Sequence, residues 1–264
     1  MNLLDHCTVL ITGASSGLGR EFARQLASRA STMVLVARRA ERLESLKAEL
    51  DRPGLAIHCL PADLADPSEV EALIGWIAET GLQINFLINN AGLGDHGRFE
   101  TADWGRIRQM LDVNIIALTR LTHALLPTLK AQAGAAILNV SSVASFIPIP
   151  KLAVYAATKA YVTSFSEGLR AELSASGVRL TTLCPGPVPT EFGRVAERTE
   201  NPEPVEAVGG LYVPPAKVVA DALRAVERDH ARVVPGWKVA LTMTLAAAIP
   251  MAIFRWFLNR RGRA

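Results

Sequence analysis

Six short, mostly apolar runs, each followed by a stretch of helical spacing, constrain the fold of this chain more than any other feature. They fall at 8–12 (TVLIT), 32–37 (TMVLVA), 55–60, 84–88, 136–140 and 178–183, and a further strand-like run lies at 231–235. A strand with one wet face alternates polar and apolar residues, whereas continuous Val/Ile/Leu runs belong to strands covered on both faces. Segments 17–30, 40–51, 102–132 and 152–176 read as helices. Strand–helix repetition with short turns requires parallel pairing through right-handed crossovers. The predicted class is therefore α/β, a doubly wound parallel sheet. At 264 residues, 50% hydrophobic and 20% charged, the chain can cover such a sheet on both faces within one domain.

Composition excludes several function classes. A net charge of +3, with no Lys/Arg run interleaved with aromatics, argues against nucleic acid. Cys7, Cys59 and Cys184 are isolated among apolar neighbours, so neither a disulfide framework nor a metal site is expected. A reducing, cytoplasmic setting fits, and the residues ahead of the first strand carry no basic region of a secretory signal. The predicted organisation is a catalytic domain over 1–236 and an apolar C-terminal helical extension over 237–264. Within the domain, 185–215 is rich in Pro, Gly and charge, and a connection that long usually serves as a lid.

The turn after the first run reads Thr12-Gly13-Ala14-Ser15-Ser16-Gly17-Leu18-Gly19. Glycines at 13, 17 and 19 let the backbone turn sharply and approach a pyrophosphate, while the following helix offers free N–H groups to the phosphates. The spacing is GxxxGxG, and taken alone such a turn can also be purely structural.

TGASSGLG resembles the nucleotide-binding signature of the short-chain dehydrogenase/reductase family, a Rossmann fold, and further motifs follow in that family's order. Asp63-Leu64 resembles the pair that reads the adenine. Asn89-Asn90-Ala91-Gly92 resembles the NNAG motif, which supports the sheet and touches the cofactor. Pro185-Gly186-Pro187-Val188-Pro189-Thr190 resembles the PG motif whose following residues hold the nicotinamide carboxamide. The resemblance is dense from Cys7 to Thr190 and thins afterwards.

The choice of dinucleotide is legible at the end of the second strand. Folds specific for NAD place an acid there to bond the ribose 2′-hydroxyl. Here the strand ends Val36-Ala37-Arg38-Arg39, and a guanidinium suits a 2′-phosphate. NADP(H) is the expected cofactor, with Arg38 as the phosphate clamp and Arg39 second. The alternative is that both arginines are solvated residues leading into a helix. Many NADP-dependent relatives also carry a basic residue where this chain has Ser16.

Tyr155 and Lys159 stand one turn apart on a predicted helix, so phenol and ammonium can serve one cavity. Interconverting a carbonyl and an alcohol needs a proton donor or acceptor beside the hydride path. A nearby cation is expected to lower the tyrosine's pKa of about 10 toward a working base. Ser142, thirteen residues before Tyr155 at a strand end, can bond the substrate oxygen, and adjacent Ser141 should point the other way. The resemblance implies that Lys159 also bonds the nicotinamide ribose. It makes Asn114 the fourth catalytic residue, holding a water that passes protons to Lys159. Each residue has a plain alternative: a half-buried tyrosine, a turn serine, an asparagine satisfying backbone at a helix kink.

The resemblance therefore implies reduction of a carbonyl with NADPH, and Phe146, Ile147, Ile149, Val188 and Phe192 favour an apolar substrate. A catalytically silent NADP(H)-sensing protein of the same fold is the competing expectation. The resemblance also implies a homodimer or homotetramer through helices 102–132 and 152–176. The tail from 237 loosely resembles that of hydroxysteroid and long-chain ketoacyl reductases. Its stretch 239–254 is shorter than a bilayer span and is broken by Pro250. Trp237, Trp256 and Phe257 with Arg255, Arg260, Arg261 and Arg263 fit a helix lying in a membrane interface. Packing of the tail on its own domain or on a second subunit is the alternative.

Overall fold

The computed structural model describes residues 3–198, 212–250, 252, 253 and 255. Its strands are β1 (Thr8–Thr12), β2 (Thr32–Ala37), β3 (Ala56–Pro61), β4 (Phe86–Asn89), β5 (Ala136–Val140), β6 (Arg179–Leu183) and β7 (Arg232–Val233). Its α-helices are α1 (Gly17–Leu26), α2 (Ala40–Leu50), α3 (Pro67–Thr80), α4 (Trp104–Leu111), α5 (Leu118–Ala131), α6 (Ala153–Glu172), α7 (Glu191–Ala196), α8 (Pro215–Glu227) and α9 (Trp237–Ala248). The strands form one sheet in the order β3-β2-β1-β4-β5-β6-β7, with every neighbouring pair parallel. This is the doubly wound α/β fold that the apolar runs dictate. The order reverses between β1 and β4, which opens a crevice at the carboxyl ends of those strands.

Burial on both faces explains the apolar runs. Val9 and Ile11 of β1 enter one cluster with Phe22 and Leu26 of α1, Leu43 and Leu46 of α2, and Val218 and Ala222 of α8. Leu10, between them, enters the opposite cluster with Val70 and Leu73 of α3 and Leu121 and Leu125 of α5. Successive side chains of a strand point to opposite faces, so a strand clad on both sides carries apolar residues toward both.

Three expected elements take a different form. The run at 231–235 pairs only over Arg232–Val233, ahead of Pro235, which has no N–H to donate. The predicted helix over 102–132 is three segments: α4, a π-helical turn at Asp112–Ala117, and α5. The segment 185–215 contains the short helix α7, and its residues 199–211 lie outside the described residues.

At the C-terminal end, α9 rests on the first cluster through Val239 and Met243, while Trp237, Leu241 and Leu245 are exposed. Trp256, Phe257, Arg260, Arg261 and Arg263, which the sequence singled out for the tail, lie outside the described residues. Among the described residues no helix is long and apolar enough to cross a membrane.

Candidate functional site

The crevice begins at the glycine turn between β1 and α1. Gly13 adopts φ +67°, and a Cβ there would meet the Ala91 backbone at 2.9 Å. A Cβ on Gly19 would lie 2.2 Å from the Gly13 carbonyl oxygen, so any side chain would force the helix off the strand. Thr12 and the Asn-Asn-Ala-Gly segment stitch this turn to β4. The Thr12 hydroxyl accepts from the Asn90 and Ala91 amides, both at 3.0 Å, and the Asn90 side chain donates to the Thr12 carbonyl at 2.8 Å. Asn89 instead holds the sheet interior, donating to Thr122 and Asn139 at 2.9 Å each.

The α1 N-terminus has no side-chain cap, because the Ser16 hydroxyl accepts from Arg39 rather than from the helix. Its amides and the bare Gly17 therefore form a cradle of the kind that suits phosphate oxygens, and the residues present fit a dinucleotide. Leu18 is turned into the first apolar cluster. The Thr190 side chain stands across the turn, 3.5 Å from where a Gly17 Cβ would be.

The two arginines at the β2 end take different positions. Arg38 is exposed, with its guanidinium 3.9 Å from the Asp63 carboxylate. Arg39 lies over the glycine turn, donating to Ser15 at 3.1 Å and to Ser16 at 3.0 Å. The same guanidinium reaches Glu191 at 3.1 Å. Asp63 accepts from the Ala65 amide at 3.0 Å, whereas Leu64 is core.

The proposed chemistry converges from β4, the π-helical turn, β5 and α6. The wider π turn carries Asn114 inward, almost fully buried. Its amide oxygen accepts from the Leu93 amide at 2.8 Å, and its nitrogen donates to the Leu93 carbonyl at 2.9 Å and to Thr158 at 3.0 Å. Lys159, also buried, donates to the Val140 carbonyl at 2.9 Å. A Cβ on Gly92 would stand 3.3 Å from Lys159 Nζ and 3.4 Å from Asn114 Oδ1, so the bare glycine keeps the space between those two groups open. Ser142 caps the turn after β5, accepting from the Ala144 amide at 3.1 Å. Ser141 faces α6 instead, bonded to the Lys159 carbonyl at 2.9 Å and to Thr163 at 2.7 Å.

Electrostatics here depart from the expected lowering of the tyrosine. Burial pushes the Tyr155 phenol up to about 12, opposed by a hydrogen bond with Ser142. Burial pulls Lys159 down to about 8. The ammonium sits 5.8 Å from the Tyr155 ring centre and donates to the Val140 carbonyl, so burial rather than the lysine sets the direction of the phenol's shift. Burial thus favours the neutral form of both groups, holding the phenol's proton more tightly and the ammonium's less.

Helix α7 forms the outer wall. The Phe192 ring lies 5.5 Å from that of Tyr155 and packs over Gly94. Beyond it, Arg198 grips the buried Asp95 carboxylate through two bonds, at 3.0 and 2.6 Å, and Arg106 approaches the same carboxylate at 3.4 Å. Pro185 accepts from the Val143 amide at 3.0 Å, and Val188 packs on the first apolar cluster, which anchors the segment leading from β6 past Gly186. Phe146 stands against Arg232, 5.4 Å from ring centre to guanidinium. Glu191, Arg42, Asp95 and Arg198 were not legible in the sequence, because their partners lie 103 to 152 residues away. No motif spacing announces such pairs. Among the described residues no His/Cys/Asp/Glu group could hold a metal ion.

Comparison with known proteins identifies a family. A family model described as short chain dehydrogenase matches residues 7–201. The chain is 42% identical over 189 residues to a sulfoacetaldehyde reductase of Chromohalobacter salexigens, covering 70% of this chain and 73% of that protein. It is 39% identical over 218 residues to a serine 3-dehydrogenase of Agrobacterium fabrum, covering 81% and 83%. Among solved structures, a short-chain dehydrogenase from Sphingobium yanoikuyae in complex with NADPH superposes with a TM-score of 0.78 at 35% identity, covering 93% of this chain and 97% of that one. A dinucleotide cradle at the sheet's switch point, a tyrosine–lysine helix beside it, and this family match along most of the chain lead to one conclusion: the protein belongs to the short-chain dehydrogenase/reductase family, oxidoreductases that act on alcohol and carbonyl carbons with NAD(P).

Proposed function

We propose that the protein reduces a ketone or aldehyde to an alcohol with NADPH. The observation that carries this reading is the grouping of four side chains: Lys159 and Asn114 face the open side of Gly92, and Tyr155 lies by Lys159 with a hydrogen bond to Ser142. The bound nicotinamide supplies the hydride. Ser142 holds the substrate oxygen, and Tyr155, kept protonated by burial, gives its proton to that oxygen as negative charge develops. Lys159 restores the phenol proton, and Asn114 Oδ1 fixes the water through which Lys159 is recharged.

Preference for the phosphorylated dinucleotide is supported by Ala37 where an acid would sit, by Arg39 over the glycine turn and by Arg38 beside it. On the nicotinamide side, Val188 and Thr190 are proposed to hold the carboxamide. The substrate is proposed to be neutral and largely apolar. Phe192 faces Tyr155, and the nearby guanidinium groups of Arg198 and Arg106 are already engaged by Asp95, which leaves neither free to receive an anion. The two relatives named for sulfoacetaldehyde and serine take small charged molecules, so substrate class is where this chain is proposed to part from them.

A panel of ketones and aldehydes with NADPH and NADH, followed at the nicotinamide absorbance, tests the reading. Turnover of apolar ketones with NADPH supports it. Tight NADPH binding with no turnover across the panel would instead identify a nucleotide sensor.

A further inference from the structure

One carboxylate on α7 reaches across the dinucleotide crevice to the arginines at the β2 end. Glu191 Oε2 accepts from Arg39 at 3.1 Å, and both of its oxygens accept from Arg42 at 2.9 Å. Arg42 and Arg39 hold the Glu191 carboxyl below the usual carboxylate range. Arg39 is shared: the guanidinium that meets Glu191 also bonds Ser15 and Ser16 of the glycine turn. Thr190, next to Glu191, faces Gly17 from the same side. The two lips of the crevice are thus joined through a carboxylate that occupies donors of Arg39, one of the two arginines proposed to meet a ribose 2′-phosphate.

A carboxylate and a phosphate present the same kind of charged acceptor oxygens to a guanidinium, and Arg39 and Arg42 have a finite set of N–H donors. Both anions cannot be fully served by the same donors, and drawn together they repel. A 2′-hydroxyl carries no charge and meets no such competition. We propose that Glu191 is a specificity-determining residue, an in-chain competitor of the 2′-phosphate for Arg39 and Arg42, and that it sets how strongly the protein prefers phosphorylated over unphosphorylated dinucleotide. This rests on the reading that Arg39 meets that phosphate, with Arg42 close enough on the same carboxylate to be drawn into the competition. The residue tempers the preference: the arginines remain attractive to NADPH, and the carboxylate limits by how much.

The test is equilibrium binding to the full chain, without turnover, using 2′,5′-ADP and 5′-AMP as probes of the two adenosine ends. Glu191→Gln keeps the shape and removes the charge. It should tighten 2′,5′-ADP about tenfold and leave 5′-AMP within twofold, since a charge-assisted acceptor has been withdrawn from competition. Its salt dependence for 2′,5′-ADP should steepen, because more guanidinium charge faces the phosphate. Arg39→Ala should weaken 2′,5′-ADP alone. If Arg39→Ala weakens 2′,5′-ADP but Glu191→Gln leaves it unchanged, Glu191 is only a surface ion pair and the proposal fails while the phosphate reading stands. If Glu191→Gln weakens 2′,5′-ADP, the carboxylate positions the arginines rather than competing, and the proposal fails in sign. If wild type and Arg39→Ala bind both probes equally, the phosphate reading and the proposal fall together.

Discussion

At the scale of single residues, the pair Tyr155–Lys159 makes the sharpest commitments. Tyr155→Phe keeps the ring against Phe192 and removes only the proton donor. Turnover should fall by at least about a hundredfold, while NADPH affinity measured by fluorescence stays within a few-fold. Retained activity within tenfold of wild type would remove Tyr155 from the mechanism. The pH dependence follows from the shifted values. Tyr155, near 12, stays protonated through the working range, whereas Lys159, pulled down to about 8, loses its proton as pH rises through that point. The reductive kcat/KM should therefore be level below pH 8 and decline above it. A profile that rises through pH 8 would mean that the neutral amine is the active form. Arg38→Ala and Arg39→Ala should each raise the Michaelis constant for NADPH about tenfold to a hundredfold more than that for NADH. Arg39 should show the larger effect, because it already lies on the glycine turn.

At the scale of elements, the glycine turn and α7 depend on different kinds of information. The turn is local: its glycines, its strand and its helix follow one another in the chain, so its form and place were readable from a few residues. Gly19→Ala tests how tight it is. The added methyl would stand 2.2 Å from the Gly13 oxygen, and such overpacking typically costs about 1–3 kcal/mol. The melting temperature should drop by several degrees and should no longer rise on adding NADPH, as read by differential scanning fluorimetry. An unchanged melt with normal stabilisation by NADPH would mean that the helix moves aside without penalty. By contrast, α7 reads as loop because its six residues carry Gly193 and little helical pattern. Its position depends on remote partners: Glu191 on Arg39 and Arg42, Phe192 on Tyr155, and nearby Arg198 on Asp95. The π-helical turn was likewise hidden, since one extra residue per turn leaves no mark in an apolar pattern that is already amphipathic.

At the scale of the whole molecule, two exposed apolar surfaces carry predictions. Trp104 of α4, Ile116 of the π turn and Tyr161 of α6 are exposed along the helices where pairing is expected. Light scattering at micromolar concentration should give a dimer or tetramer, and a monomer would count against that surface as a subunit contact. On α9, Trp237, Leu241 and Leu245 point away from the domain while Val239 and Met243 hold the helix to it. If this face meets a membrane, the chain should sediment with anionic vesicles at low salt and release as salt rises, through loss of attraction to Arg255 and the terminal arginines. Deleting residues 251–264 should abolish sedimentation and leave turnover of a small ketone intact. A deletion that lowers melting temperature and activity together would place the tail against the pocket or a second subunit instead.

The sequence by itself determined the sheet, its parallel pairing and the cradle, because these rest on short-range pattern: apolar runs for strands buried on both faces, and a glycine spacing that allows close backbone approach. It also brought Tyr155 and Lys159 to one helix face, since four residues separate them. Only the tertiary structure decided what surrounds those groups. Burial, which depends on the whole fold, raises the Tyr155 phenol where a neighbouring cation was expected to lower it, and weakens the lysine's grip on its proton. Ion pairs closed over 103 to 152 residues, Asp95–Arg198 and Glu191 with Arg39 and Arg42, shape the wall and the lip of the crevice. A charge pair needs only two residues that meet in space, and a linear pattern holds no record of that meeting until the strands have been ordered and the helices laid across them.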